Sequence, residues 1–328
     1  GEKMTPRGIM YLHRSMSFGA TQMDTLTVIR SLDPERFAPS ICCMRDLGEL
    51  GEEAQREGIR VFVLSRPGKG SPDPILVWRL ARLLSDKKVA LLQTHSFHSD
   101  AYGGLAALLA GTPVVVRRLG VTPSPKMRNR LINRALARRQ DAVVAISQAL
   151  ADLAAKRDGV PGNSLRVIYN GVDVNAFAPA TDRAEAKRAL GIDPSKQVVL
   201  NVARFARVKG QRYLLEALAQ MKSRPRCVLL GWGDERENLS KLADSLGVAE
   251  RVTFAGPARD VVPYLHAADL FVFPSLREGL GKALLEAAAC GLPAVASDIA
   301  PLREAAGCGL QERLAQSLAQ RREYEKIG

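Results

Sequence analysis

Cysteine is scarce in this chain. Five occur in 328 residues (Cys42, Cys43, Cys227, Cys290 and Cys308), an odd number with no CxxC pair. A disulfide framework or a thiolate zinc site is therefore not expected, and the thiols read as reduced core residues. Aromatic residues are only 5%. No stretch interleaves them with Lys and Arg as a base-stacking platform would, so nucleic acid is not an expected partner. Histidines number four, which leaves little material for acid–base chemistry. No D-x-D carboxylate pair occurs, so no metal and no resident cofactor is expected. No apolar run reaches the roughly 20 residues of a membrane-spanning helix; the stretch Ala101 to Val116 is broken by Gly103, Gly104, Gly111 and Pro113. The N-terminal residues are charged and lack an apolar signal core, so the expected location is the cytoplasm.

What is present is a globular composition, 46% hydrophobic and 25% charged. Length alone suggests about two domains. The net charge is +13, and residues 1–180 hold 25 Lys+Arg against 16 Asp+Glu, a net of +9. The excess is therefore concentrated in the first half, where it shapes the choice of partner.

Apolar strand patterns alternate with helical ones. Strands are expected at Gly8–His13, Ala38–Met44, Arg60–Leu64, Ala90–Thr94, Val114–Arg117 and Ala142–Ile146. Helices are expected at Gly19–Leu32, Leu47–Glu57, Ile75–Asp86 and Ala101–Ala110, and from Ser147 onward. The pattern breaks near 172–192. It resumes with strands at Val198–Ala203, Cys227–Gly231, Val252–Ala255, Leu270–Phe273 and Ala294–Ser297, and helices at Gly210–Met221, Glu235–Leu246 and Lys282–Ala289. This predicts an α/β protein of two doubly wound, Rossmann-like domains, with ligand bound at the strands' carboxyl ends in a cleft between them. The expected division is 1–178, 179–310 and a C-terminal helix within 311–328 that packs back toward the first domain.

The segment Pro274-Ser275-Leu276-Arg277-Glu278-Gly279-Leu280-Gly281-Lys282-Ala283-Leu284-Leu285-Glu286 leaves an apolar strand and opens an apolar helix. Gly279 and Gly281 bare the backbone amides where that helix starts, a ready anion site. Glu286 lies about two turns beyond Glu278, so both carboxylates suit paired acceptance of vicinal hydroxyls. On spacing alone, a capped core helix with two solvated glutamates fits equally well. Upstream, Arg204 and Lys209 flank a strand-to-helix loop; they suit a diphosphate, or they are a solvated basic loop.

The stretch from Glu278 to Glu286, with Ala289-Cys290-Gly291-Leu292-Pro293 after it, resembles the E-x7-E motif of glycosyltransferase family 4, retaining enzymes of the two-domain GT-B fold. Gly231-Trp232-Gly233-Asp234, Arg251 to Gly256 and Ala268 to Ser275 resemble its other landmarks, in order. In the first half, Val144-Ala145-Ile146-Ser147 and Tyr169-Asn170-Gly171-Val172-Asp173 do so more loosely. The resemblance implies that Glu278, Gly279, Leu280 and Gly281 hold the donor sugar and phosphates. It places Glu286 on the nucleotide ribose and Arg204 and Lys209 on the diphosphate. Ser17-Phe18-Gly19-Ala20 stands where the family has a Gly-Gly donor loop, which puts Gly19 in the donor set.

Three departures follow. The family's His after the strand at Val114–Arg117 is replaced by Arg117-Arg118-Leu119-Gly120. Of the nearest histidines, His98 is taken as the catalytic candidate beside Glu278, and His95 as an acceptor-side contact. The donor loop has Gly-Ala. The tail after Asp298 is short, running from Gly307-Cys308-Gly309-Leu310 straight into a helix-like Gln311–Tyr324, as though residues near Leu310 were absent. The run Lys126–Arg139 carries six basic residues and no acidic one, with apolar residues at helical spacing. With Arg117 and Arg118 beside Arg128 and Arg130, it predicts a positive face for an acidic or lipid-linked acceptor, or for the inner face of an anionic membrane. A core helix with a solvated basic face is the plain alternative.

The expected function is transfer of a sugar from a nucleoside diphosphate sugar, UDP- or GDP-linked, to a sugar or lipid-linked acceptor hydroxyl in cell-surface glycan or glycolipid synthesis. A sugar-nucleotide epimerase or hydrolase on the same fold, or an inactive binding homologue, is the alternative.

Overall fold

A computed structural model of the chain describes residues 5–64, 73–120, 127–137 and 140–307. The expected C-terminal helix, Cys308, and Lys126, Arg138 and Arg139 of the basic run lie outside the described residues. Two compact units meet between Asn170 and Gly171, eight residues before the expected boundary.

The first unit carries a seven-stranded parallel sheet among its described residues. Its strands are β1 (Arg7–Ser15), β2 (Phe37–Asp46), β3 (Arg60–Val63), β4 (Val89–Thr94), β5 (Val114–Leu119), β6 (Ala142–Ala145) and β7 (Leu165–Val167). The order β3-β2-β1-β4-β5-β6-β7 places the switch between β1 and β4, where open parallel sheets bind ligand at their carboxyl ends. Among the described residues, six helices serve this sheet: α1 (Ala20–Ser31), α2 (Glu49–Arg56), α3 (Pro74–Asp86), α4 (Phe97–Ala110), α5 (Met127–Ala137) and α6 (Gln148–Leu153). A single π-helical turn, Ala154–Asp158, follows.

Strand alternation splits the core. Met10, Leu12 and Leu92 pack with Leu80, Leu84 and Ala106 on the α3–α4 face. Ile9, Tyr11 and Ile41 pack with Leu26, Ile29 and Leu50 on the α1–α2 face. The same alternation separates Arg117 from Arg118. Arg117 turns to the α4 side, where it is 2% exposed. There it pairs with Asp100 at 2.9 Å and Asp158 at 3.7 Å. The expectation that Arg117 adds to a surface positive face is corrected: its charge closes a buried network with two carboxylates.

The helix expected at Ala101–Ala110 starts at Phe97, because Ser96 and Ser99 form a reciprocal capping box. His98 therefore sits in the first turn of a helix, exposed, with its ring edge-on to Phe97 at 5.8 Å. The basic helix is described over Met127–Ala137, with Leu131 and Arg134 exposed.

The second unit holds the parallel order β10-β9-β8-β11-β12 among its described residues, from β8 (Val198–Val202), β9 (Arg226–Leu230), β10 (Val252–Gly256), β11 (Leu270–Phe273) and β12 (Ala294–Ala296). The helices are α7 (Arg183–Ala189), α8 (Gln211–Gln220), α9 (Arg236–Ser245), α10 (Val262–Ala267), α11 (Lys282–Ala289) and α12 (Ala300–Gly307). The chain is thus two parallel-sheet, Rossmann-like domains. Cys42, Cys43, Cys227 and Cys290 are buried and unbridged; burial pushes the Cys43 and Cys227 thiols up to about 12, so neither is a nucleophile at neutral pH.

Candidate functional site

The second unit brings together two loops at the carboxyl ends of neighbouring strands. One runs from β8 through Arg204 and Lys209 to α8; the other runs from β11 through Glu278 to α11. Leu276 N–H donates to the Val208 carbonyl at 2.8 Å, tying the loops edge to edge. Gly210 makes that approach possible. Its φ is +69°, and a Cβ there would come within 2.0 Å of the Pro274 carbonyl oxygen, a position that admits no side chain.

The consequence is an ion pair. Lys209 Nζ donates to Glu278 Oε1 at 2.5 Å, with the Glu278 side chain 9% exposed. The ammonium also lies 5.8 Å from the Phe273 ring centroid, an apolar wall that strengthens its field. Gly279 and Leu280 are buried, and Gly281 caps α11 in the left-handed region, φ +87°, with no side-chain cap on the first amides. No acidic residue stands in the first turn of α11. The helix dipole makes this end of α11 a positive terminus. Glu286 is partly buried in the second turn of the same helix. Arg204 is exposed, its carbonyl fixed by the Gln211 side chain at 3.1 Å.

In the first unit, Gly19 opens α1 with extended backbone and no side-chain cap. A Cβ there would meet only the mobile end of Gln22, so a side chain could be fitted at this position. The glycine the loop depends on is Gly48 (φ +66°), whose Cβ would lie 2.3 Å from Ser17 N. Arg118 is half-buried and already partnered: it donates to Asn170 Oδ1 at 2.5 Å and lies 3.4 Å from Asp24. Asn170 in turn donates to Asp24 at 2.9 Å.

Next to Arg118, His95 stacks on His13 with centroids 4.2 Å apart, a pair that sequence spacing did not reveal. Burial, then Arg118, brings His13 down to about 3; burial, then His13 and Arg118, holds His95 well below its ordinary range. Both rings are neutral at physiological pH. For His13 the folded value lies below the ordinary 6.5, so its stabilisation is complete above about pH 6.5 and is lost as pH falls toward 3. At pH 5 the expected loss is about 2 kcal/mol relative to pH 8. Urea unfolding of the protein and of His13→Phe across this range checks it: the variant, which keeps a ring and cannot titrate, is expected to show the flatter slope. Parallel slopes would remove His13 as the cause.

Two family models cover the chain. "Glycosyl transferases group 1" matches residues 182–317 and "Glycosyltransferase Family 4" matches 24–176. The chain belongs to glycosyltransferase family 4 and is a glycosyltransferase. EpsF of Bacillus subtilis (strain 168), which carries a glycosyltransferase name, is 29% identical over 94% of this chain and 79% of its own length. A D-inositol 3-phosphate glycosyltransferase of Segniliparus rotundus is 32% identical over 73% of this chain, which spans 57% of that relative's length. The crystal structure of Anabaena HepE with UDP and glucose superposes with a TM-score of 0.80 at 26% identity, covering 91% of this chain and 82% of that one. The GT-B architecture expected from the sequence is the architecture found.

Proposed function

We propose that the chain transfers a sugar from a UDP-sugar to an acceptor hydroxyl, with retention, in cell-surface glycan or glycolipid synthesis. The observation that carries the donor half is the Lys209–Glu278 pair beside the uncapped N-terminus of α11. A cation beside the N-terminus of a helix suits a departing diphosphate, the group whose growing charge must be offset in the transition state. Glu286 on the same helix is the proposed ribose contact. UDP is favoured as the base because HepE was solved with UDP. Retention is the family expectation.

The acceptor half rests on the surface of the first unit. Ile75 and Trp78 on α3, Leu105, Leu108 and Leu109 on α4, and Leu131 on α5 are exposed. Among the described residues no helix is long and apolar enough to cross a membrane. Apolar side chains beside the basic α5 suit a lipid-linked acceptor at an anionic membrane surface. Arg128 and Arg130 are assigned to that face by sequence.

A thermal-shift series with UDP, UDP-glucose, GDP-mannose, ADP-glucose and dTDP-glucose tests the donor. Ligand that binds only the folded protein raises stability, by about 2.7 kcal/mol at a hundredfold excess over Kd. UDP and UDP-glucose are expected to raise the midpoint and the others to raise it less. A flat response to all five would overturn the reading.

A further inference from the structure

In the second unit, strand alternation divides the side chains between two faces. Val199, Phe205, Cys227 and Leu229 pack with α8 and α9 on one face. Leu200, Leu230 and Phe273 fall on the other by alternation. Leu200 is in register with Phe271 and with Val228, and Val202 with Leu230. Two residues along β11 from Phe271, Phe273 therefore joins the Val202–Leu230 row. The Lys209 ammonium sits over the Phe273 ring, so it belongs to this second face. The pairing of β8 with β9 continues past the strand ends. Ala203 N–H donates to the Leu230 carbonyl at 3.1 Å, and Phe205 N–H to the Trp232 carbonyl at 2.7 Å. The next row out on the Lys209 face is therefore Arg204 and Trp232. Both are exposed, the indole by 49%.

The backbone beneath Trp232 is fixed on both sides. Gly231 and Gly233 have φ of +149° and +148°. A Cβ at Gly231 would lie 2.0 Å from the Ala203 carbonyl oxygen, and one at Gly233 2.3 Å from that of Phe205. Neither position admits a side chain. Gly231 N–H also donates to the Gly256 carbonyl at 2.8 Å, which ties the turn to β10. The neighbouring rings stack internally. Phe205 is edge-on to Phe254 at 5.9 Å, and the Arg236 guanidinium lies 3.6 Å from the Phe254 centroid. The Trp232 indole has no such neighbour among the described residues. We infer that Trp232 stacks on the nucleobase of the nucleotide sugar, one strand over from the loops that take the diphosphate. A flat π face suits an indole and needs no charge from it. The phosphates belong to the cations of this face, Lys209 and Arg204, and the uncharged ring beside Arg204 is left for the base. Because the turn is rigid, little freedom is lost when the base docks. This inference rests on the proposed UDP-sugar donor.

The test uses the whole chain. It has two tryptophans, Trp78 in the first unit and Trp232 in the second. In Trp78→Phe protein all indole emission therefore comes from Trp232. UDP is expected to quench that emission. Pyrophosphate, which has the charge without the base, is expected to restore it by displacing UDP. Calorimetry with the parent, Trp232→Leu and Trp232→Tyr supplies the second arm. Trp232→Leu is expected to bind UDP and UDP-glucose about tenfold more weakly, the effect of losing one base–aromatic stack. Trp232→Tyr keeps an aromatic face and is expected to stay within about threefold of the parent. Pyrophosphate affinity is expected to be equal in all three proteins, whereas a merely structural role for the indole would lower it along with UDP affinity. Emission that stays unquenched while calorimetry shows UDP bound overturns the inference. So does quenching by pyrophosphate alone, an equal loss of UDP and pyrophosphate affinity, or a Trp232→Tyr protein as weak as Trp232→Leu. If the parent binds neither UDP nor UDP-glucose, the donor reading falls first and takes this contact with it.

Discussion

Lys209→Ala is expected to lower UDP-glucose turnover about 10²- to 10³-fold, the usual cost of removing one preorganised charge or donor from a developing anion. Lys209 cannot be replaced by its neighbours. Arg204 is exposed, so water screens it, while Lys209 works against the Phe273 ring and the backbone of a loop locked by Gly210. The substitution also leaves Glu278 nearly buried without the cation that faces it. The second unit is therefore expected to lose a further 1–3 kcal/mol of stability, measurable in the same samples by urea unfolding. Lys209→Arg keeps the charge but spreads it over a planar fork, so intermediate turnover is expected. Turnover within threefold of the parent in Lys209→Ala would remove the residue from the donor site.

Arg117→Leu carries the largest expected effect on stability. The guanidinium compensates Asp100 and Asp158, both essentially without solvent exposure. Asp158 keeps a second cation, Arg157, at 3.0 Å, while among the described residues Asp100 keeps only the Thr94 hydroxyl at 2.6 Å, a neutral donor that does not cancel a charge. Burial raises the Asp100 carboxyl against the pull of Arg117. Without that pull, the buried Asp100 carboxylate faces a leucine. A loss of about 3–5 kcal/mol is expected, as for a buried pair stripped of one partner. The deficit relative to the parent should shrink as pH falls, because a buried carboxyl can shed its charge by taking a proton. The double change Arg117→Leu, Asp100→Asn is expected to recover part of the loss, since it removes the uncompensated charge itself. A single Arg117→Leu variant that unfolds at the parent's urea midpoint would show that the network contributes nothing net.

The second unit was the more legible in sequence, and the reason is local. Strand β11, the glycines after it and the apolar spacing of α11 lie within twenty residues, so Glu278 could be put on the loop and Glu286 on the helix from spacing, while their expected roles came from the family resemblance. The pairing of Lys209 with Glu278 was not visible, because it depends on two loops being drawn together by the glycine at 210. The first unit was legible as strands and helices, yet its polar residues were assigned by adjacency. Arg117 and Arg118 read as one basic patch; strand alternation sends them to opposite faces, one into a buried network and one toward α1. His98 read as a strand-end residue because the Ser96–Ser99 capping box, a local signal that was present, starts α4 before it. His13 went unnoticed because its partner His95 is eighty-two residues away, and only the pairing of β1 with β4 puts them in one row. Short-range signals gave the loop and helix that carry Glu278 and Glu286; the polar residues of the first unit are placed by register between distant strands.

The central claim is that the second unit holds a UDP-sugar through Lys209, Glu278, the α11 amides and Glu286. Calorimetric titration of UDP-glucose into the parent protein, Lys209→Ala and Glu286→Ala tests it most directly. One site per chain is expected in the parent, with affinity weakened at least tenfold in each variant. No binding to the parent, or equal affinity in all three proteins, would contradict it.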